Sequence, residues 1–312
     1  MPAVTAAIAA AASGVNRYAD HRATELRAAL AGSMGVDPRS VTVGCGSVGL
    51  LQQLCLTYVE PGDDIVYPWR SFEVYPVYTQ LVGARAVTVP LADEAFDLDA
   101  VAAAVTPATR VVFLATPNNP TGTAVSSADL RRFLEAVDRR SSSSSTRRTV
   151  SSTTPGWAIR WSTCCRTTAT RSCCAPSPKA HGLAGLRVGY MVAAPEVVDA
   201  VDKTLFPFAV NALAQAAALA ALGAQDEIRG RVATVLAERD RVAAALAAAG
   251  HRFPAPRANF VWLPLGARTD DLYLALERRG VVTRPFSREG LRVTIGTPEE
   301  NDRFLATLAE VV

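Results

Sequence analysis

Apolar and polar positions alternate along this chain in two rhythms. Between Thr24 and Val43 apolar residues fall first at helical spacing, in TELRAALAGSMG, and then crowd into a short strand. Gly32 or Gly35 can close that helix, because glycine takes a left-handed C-terminal conformation without a Cβ penalty. SVTVGCGSVGLLQQLCLTYV, residues 40–59, reads as strand, Gly-rich turn and helix. DDIVYP (63–68) and ARAVTVPL (84–91) are short buried strands, and RVVFLATPNNPTG (110–122) is another with a turn-rich end. Strands separated by helical stretches predict an α/β chain with a mainly parallel sheet and crossover helices. After Pro207 the texture changes. NALAQAAALAAL and IRGRVATVLAERDRVAAALAAAG are long Ala-rich helices, and FVWLPL and LRVTIGT are strands near the C-terminus. The chain therefore divides into a large lobe, 1–207, and a smaller α+β C-terminal lobe, 208–312.

One stretch follows neither rhythm. In residues 138–178, Ser, Thr, Arg and Cys fill 29 of 41 positions, and Leu, Phe, Tyr, Glu and Lys are absent. The stretch carries a charge of +6 while the whole chain carries +3, so the remainder is acidic. It can be a disordered Ser/Arg linker, an internal RNA-binding segment or a stretch translated out of frame. The low overall charge gives no support to nucleic-acid or membrane-surface binding. No apolar run reaches the roughly 18–20 residues of a membrane span, and the Ala run at the N-terminus has no basic flank, so a cytoplasmic protein is expected. The six cysteines, at 45, 55, 164, 165, 173 and 174, fit no zinc spacing.

Five motifs carry chemistry. In SPKAHGLAGLRVGY (177–190), Lys179 precedes Arg187 by eight residues across Gly-rich sequence. ATPNNPTG (115–122) follows a predicted strand, and VGCGSVGLL (43–51) ends a strand and opens a helix whose N–H groups suit a phosphate. YPWRSFEVYP (67–76) follows the next strand, and GLRVTIGTPEEN (290–301) lies near the C-terminus, preceded by RANFVWLPL (257–265). In this order the motifs resemble the class I/II, fold type I, pyridoxal-phosphate (PLP) aminotransferases, in the histidinol-phosphate and aromatic amino acid branch. The wording WRSFE-x-YP is closer to the aromatic, phenylalanine-type enzymes.

The resemblance implies a PLP-dependent transferase type I fold, a homodimer with active sites at the interface, and amino acid and 2-oxo acid substrates. It implies that Lys179 bonds covalently to the cofactor aldehyde and moves the substrate α-proton. Arg187 would grip the cofactor phosphate with Gly46, Ser47 and Val48. Asn119 would reach the ring hydroxyl, and Phe72 would stack on the ring, with Trp69 and Tyr75 as competitors. Arg292 would hold the substrate α-carboxylate in a bidentate fork. The reaction implied is transamination between an aromatic amino acid and 2-oxoglutarate. Histidinol phosphate is the alternative substrate, and a PLP-binding paralogue without turnover is the alternative of another class. Family chains also carry a preceding N-E-N-P-x-x-P segment, which this sequence lacks.

A second element of the family pattern is missing. The motif V-V-x-D-E-A-Y should place a carboxylate against the pyridinium nitrogen, keeping it charged so that the ring can accept electrons. Its family spacing falls near position 146, which is Thr. The genetic code supplies an explanation. Moved back by one nucleotide, Thr codons can encode Asp or Tyr, Ser codons Val or Phe, Arg codons Glu or Ala, and Cys codons Leu, Val or Met. Residues 141–152, SSSSSTRRTVSS, can then read as a Val run followed from 146 by DEAYREF. Residues 175–178, APSP, can read RTFS directly before Lys179. Strand, acidic motif and Ser-Lys dipeptide return together, which favours a frameshift over 138–178. The chain as it stands lacks the ring-facing carboxylate (Thr146), the tyrosine on the ring hydroxyl (Thr149) and the hydroxyl before the lysine (Pro178). Nearly abolished activity is expected.

Overall fold

A computed structural model describes residues 1–141, 162–167, 170–175 and 181–311, with side chains for 1–137 and 181–311. The expected strand over 141–145, Lys179, and positions 146, 149 and 178 are outside those residues, except that Ser141 ends a helix. The strands are β1 (Val41–Cys45), β2 (Asp64–Trp69), β3 (Arg85–Ala92), β4 (Ala95–Phe96), β5 (Thr109–Thr116), β6 (Ser162–Thr167), β7 (Thr170–Ala175), β8 (Val188–Ala193), β9 (Phe260–Leu263), β10 (Arg284–Phe286) and β11 (Gly290–Thr294). The α-helices are α1 (Pro2–Ala12), α2 (Thr24–Met34), α3 (Gly46–Tyr58), α4 (Val74–Leu81), α5 (Leu98–Ala104), α6 (Ser127–Ser141), α7 (Pro195–Asp202), α8 (Ala212–Gly223), α9 (Gln225–Ala248), α10 (Thr269–Glu277) and α11 (Pro298–Val311).

The period-2 reading of β2 and β5 shows directly in the packing. Ile65, Tyr67, Val111, Phe113 and Ala115 face one core with α3, α4 and α7. Val66, Val112 and Leu114 face the other with α5 and α6. A strand covered on both faces needs a near-continuous apolar run, which is what these segments have. Asp64, buried at the start of β2, is held by the Arg85 fork at 2.7 and 2.9 Å. Of the two candidate glycines, Gly35 closes α2, with φ +65° and its N–H donating to Ala31 and Gly32 carbonyls.

The large sheet runs β1-β8-β7-β6-β5-β2-β3-β4. Its helices on both faces agree with the expected layering, but its strand directions correct the expectation of a mainly parallel sheet. Among the described strands, parallel pairing is confined to β2–β3 and β2–β5. β5–β6, β6–β7, β7–β8, β8–β1 and β3–β4 are antiparallel. For β6 and β7 the reason is chain length. A parallel connection needs a crossover of about a dozen residues or more, whereas only positions 168 and 169 separate β6 from β7, so the two close as a hairpin. Alternating directions still leave β1, β2, β5 and β7 pointing the same way. Their C-terminal ends share one edge of the sheet with the start of β8.

The second sheet, β10-β11-β9, is antiparallel and has its own core with α9, α10 and α11, built on Leu246, Val261, Leu276, Leu291 and Phe304. α8 packs with α1, α2 and β1 through Ala214, Ala217 and Ala221. No helix among the described residues is long and apolar enough to cross a membrane.

Candidate active site

The shared edge of the large sheet gathers the sequence motifs. β1 passes directly into α3 at Gly46, whose φ of +69° lets the chain turn at once into the helix. Cys45, at the N-cap, offers no side-chain cap, so the first turn presents its N–H groups and the positive end of the helix dipole to the edge. Arg187, just before β8, lies against this turn. A Cβ on Gly46 would stand 3.1 Å from Arg187 Nη2. Arg187 itself has φ +57° and donates from Nη1 to the Ala184 carbonyl at 3.1 Å. Strand β8 comes so close that a Cβ on Gly189 would lie 2.5 Å from the Ser47 amide nitrogen. A helix N-terminus with a guanidinium beside it has the chemistry to hold a phosphate group. Gly46, Ser47, Val48 and Arg187 fit that part of PLP.

The loop after β2 carries the aromatic candidates. Tyr75 is fully buried and stacked on Phe113 at 4.5 Å, which makes it part of the core. Trp69 lies under the Arg70 guanidinium at 4.3 Å. Phe72 is half-buried and meets Tyr75 edge-on at 5.8 Å. The loop after β5 separates its two asparagines by task. Asn118 is buried, accepts from Ser71 Oγ at 2.8 Å and donates to the Arg70 carbonyl and Thr121 Oγ1. Asn119 is turned away from that network, and its Oδ1 accepts from Arg292 Nη1 at 2.5 Å.

Arg292 reaches this edge from β11. Its Nε is buried with no hydrogen-bond partner among the described residues, and its guanidinium lies 5.2 Å from the Phe260 ring. Burial pulls its pKa below the ordinary arginine value, with nearby Arg284 adding to the shift and Glu73 opposing it. An arginine stays protonated through such a shift. The result is a cation with an unused donor, held beside Asn119. Around it, the other cations are committed. Arg70 forms a fork with Glu289, and Arg284 pairs with Glu73 at 2.9 Å. Glu94 accepts from Trp262 Nε1 at 3.0 Å, and its carboxyl pKa is raised, first by burial and also by Glu289.

The profile of the family described as aminotransferase class I and II matches residues 1–142 and 177–308. This chain belongs to that family. The aromatic amino acid aminotransferase of Thermobifida fusca (strain YX) is 49% identical over 308 residues, covering 98% of this chain and 85% of that protein. The aromatic amino acid aminotransferase of Mycobacterium bovis (strain BCG / Pasteur 1173P2) is 46% identical, covering 98% and 87%. Among solved structures, histidinol-phosphate aminotransferase from Sinorhizobium meliloti in complex with pyridoxal-5'-phosphate superposes with a TM-score of 0.84 at 27% identity. It covers the whole of this chain and 87% of the other. The fold is the type I fold of PLP aminotransferases, PLP is the family cofactor, and the chain is by descent an aminotransferase. The family match skips 143–176, inside the anomalous stretch of 138–178.

The structure thus brings Arg187 to Gly46, Gly189 to Ser47, and Arg292 to Asn119. Lys179 lies in the connection between β7 and β8, outside the described residues. Sequence reasoning did not single out Arg70, Glu289, Glu73, Arg284 or Glu94. Their partners are far away in sequence, Arg70 and Glu289 being separated by 219 positions, so no local spacing could have paired them.

Proposed function

We propose that this aminotransferase lineage exchanges an amino group between an aromatic amino acid and 2-oxoglutarate, and that the present chain does so only feebly. The observation that carries the substrate reading is the balance of charge around Arg292. Among the described residues beside it, Arg70 and Arg284 each have a carboxylate partner, whereas Arg292 has none and keeps a buried donor without a partner. A guanidinium without a carboxylate partner suits the α-carboxylate that an aromatic amino acid and 2-oxoglutarate share. Histidinol phosphate has no α-carboxylate and would bring a phosphate in its place. Trp69, Phe72, Phe260 and Phe286 supply ring surface nearby. The names of the relatives at 45–49% identity support the same choice.

In this reading Gly46, Ser47, Val48 and Arg187 hold the cofactor phosphate, Phe72 covers the ring, and Asn119 meets the ring hydroxyl. When bound, PLP supplies the electron sink for the pair released at the substrate Cα. Lys179 Nζ takes the proton from Cα, and Arg292 fixes the carboxylate so that this C–H bond faces the lysine. By the family spacing, the carboxylate that faces the ring nitrogen belongs at position 146, and residue 146 is Thr. A neutral hydroxyl cannot keep that nitrogen charged, and this is the basis for proposing impaired turnover through a frameshift over 138–178. The lineage is read as homodimeric and cytoplasmic, with the lobes dividing near residue 207.

The test uses a chain with 138–178 replaced by the residues of the alternative frame. Phenylalanine and histidinol phosphate are offered separately with 2-oxoglutarate. A kcat/KM at least about tenfold higher for phenylalanine is expected, equivalent to roughly 1.4 kcal/mol of discrimination. Preference for histidinol phosphate would transfer the assignment to that substrate.

A further inference from the structure

We infer that Arg70 and Glu289 are positioning residues for Arg292, a reading that rests on the proposed carboxylate-binding role of Arg292. Arg292 is carried by the β10–β11 hairpin. β10 and β11 pair so that Arg284 stands opposite Arg292, and Glu289 is the last turn residue before β11 begins at Gly290. The turn is anchored to its own lobe by the Glu289 N–H to Phe286 and by the Gly266 N–H to the Glu289 carbonyl. Its side chain points elsewhere. Glu289 receives both arms of the Arg70 fork, Nε at 2.6 Å and the terminal nitrogen on its other oxygen. Arg70 is also gripped by its faces, with its guanidinium 4.3 Å from the Trp69 ring and 5.3 Å from Phe286.

The backbone of Arg70 completes a loop of contacts. Its carbonyl accepts from Asn118 Nδ2 at 3.1 Å, and the next residue, Asn119, accepts from Arg292. One residue therefore fixes both members of the Arg292–Asn119 contact. Its carbonyl steadies the asparagine loop, and its fork steadies the hairpin on which Arg292 rides. A bidentate arginine–carboxylate pair constrains orientation as well as distance. The Glu73–Arg284 pair at 2.9 Å holds the same hairpin at its other strand. It also offsets the charge that Arg284 directs at Arg292.

The test measures binding of 3-phenylpropionate, an unreactive aromatic carboxylate, to the full chain with saturating PLP, by titration calorimetry. Glu289→Gln should weaken binding about tenfold by removing the charged fork. Arg70→Lys keeps the charge without the fork and should weaken it about threefold. The charge-swapped pair Arg70→Glu with Glu289→Arg should recover affinity to within about threefold of the parent, the signature of pairwise coupling. Near-UV circular dichroism and melting temperature are followed in parallel. A role in stability alone would lower the melting temperature without moving the dissociation constant. If Arg292→Gln weakens binding while Glu289→Gln and Arg70→Lys leave it unchanged, the positioning role is overturned and the role of Arg292 stands. If Arg292→Gln has no effect, or the unmodified chain does not bind, the reading of Arg292 fails and this inference fails with it. Should Glu289→Gln unfold, Arg70→Lys and the swap decide: an unchanged constant in the first, or no recovery in a folded second, overturns the proposal.

Discussion

The sheet edge formed by β1, β2 and β5 and the strand pair β6–β7 are built from the same kind of backbone pairing, yet they deliver different chemistry. At the first, each strand leads straight into a motif: Gly46 and Ser47 at the start of α3 after β1, Phe72 after β2, Asn119 after β5. At the second, the slots between β5 and β8 are filled by a hairpin, with registers such as Phe113 opposite position 165 and Met191 opposite position 174. Ladder hydrogen bonds use only backbone groups, so a sheet can accept strands of foreign composition. It cannot thereby recover what those strands should carry. Because β6 runs against β5, its first residue rather than its last stands at the functional edge. Filling a slot in a sheet and supplying a residue at its end are separate requirements.

The largest test of this contrast concerns where the two regions meet. In the frame-restored chain, Lys179→Ala should cut turnover on the order of 10²–10⁴-fold, the usual weight of a positioned general base. Borohydride should then no longer fix the cofactor to the chain. Undiminished fixation would place the cofactor on another lysine. Next, the present chain should turn over phenylalanine about 100–1,000-fold more slowly than the restored one, because a preorganised electrostatic partner is absent from a dry site. Equal rates would show that 138–178 is a working part of the protein. Within the well-formed region, Ser47→Ala should weaken PLP binding about tenfold, by the loss of one hydrogen bond to a charged group. A fluorescence titration with an unchanged constant would remove Ser47 from the phosphate site.

The smallest effect concerns Glu94, on the turn that meets Trp262. Its folded pKa is raised by burial, so its contribution to stability is complete below about 4.5, its ordinary value, and is lost as pH rises through the raised folded value. Glu94→Gln keeps an acceptor for Trp262 Nε1 and removes the titration. The melting temperature of the variant should therefore gain on that of the parent as pH rises through this range. Parallel curves would mean that Glu94 is not destabilised by its charge.

Much of the fold was legible because it rests on short-range rules. The buried runs at 64–69 and 109–116 and the glycine closure of α2 follow from period, turn chemistry and backbone freedom. The layout of Gly46, Ser47 and Asn119 at strand ends was legible for the same reason. Strand direction between 162 and 175 was not, since it depends on how many residues remain to make a crossover. Nor were the pairs Arg70–Glu289 and Glu94–Trp262, which join distant positions through contacts that leave no periodic trace. Asn118 and Asn119 look alike in sequence. Only packing assigns one to the buried network and the other to Arg292.

The approach of β8 to the start of α3 has a consequence for inheritance. Every missense change at a glycine codon adds at least one carbon, and at Gly189 that carbon would meet the Ser47 amide nitrogen and the Gly46 carbonyl carbon at 2.5 and 2.6 Å. Both neighbours are main chain, so no rotamer change can make room. Position 189 thus has no conservative neighbour in codon space. In a saturation library, alanine there should be depleted nearly as strongly as aspartate, while at Gly185, where an added carbon meets nothing within 4 Å, variants should persist.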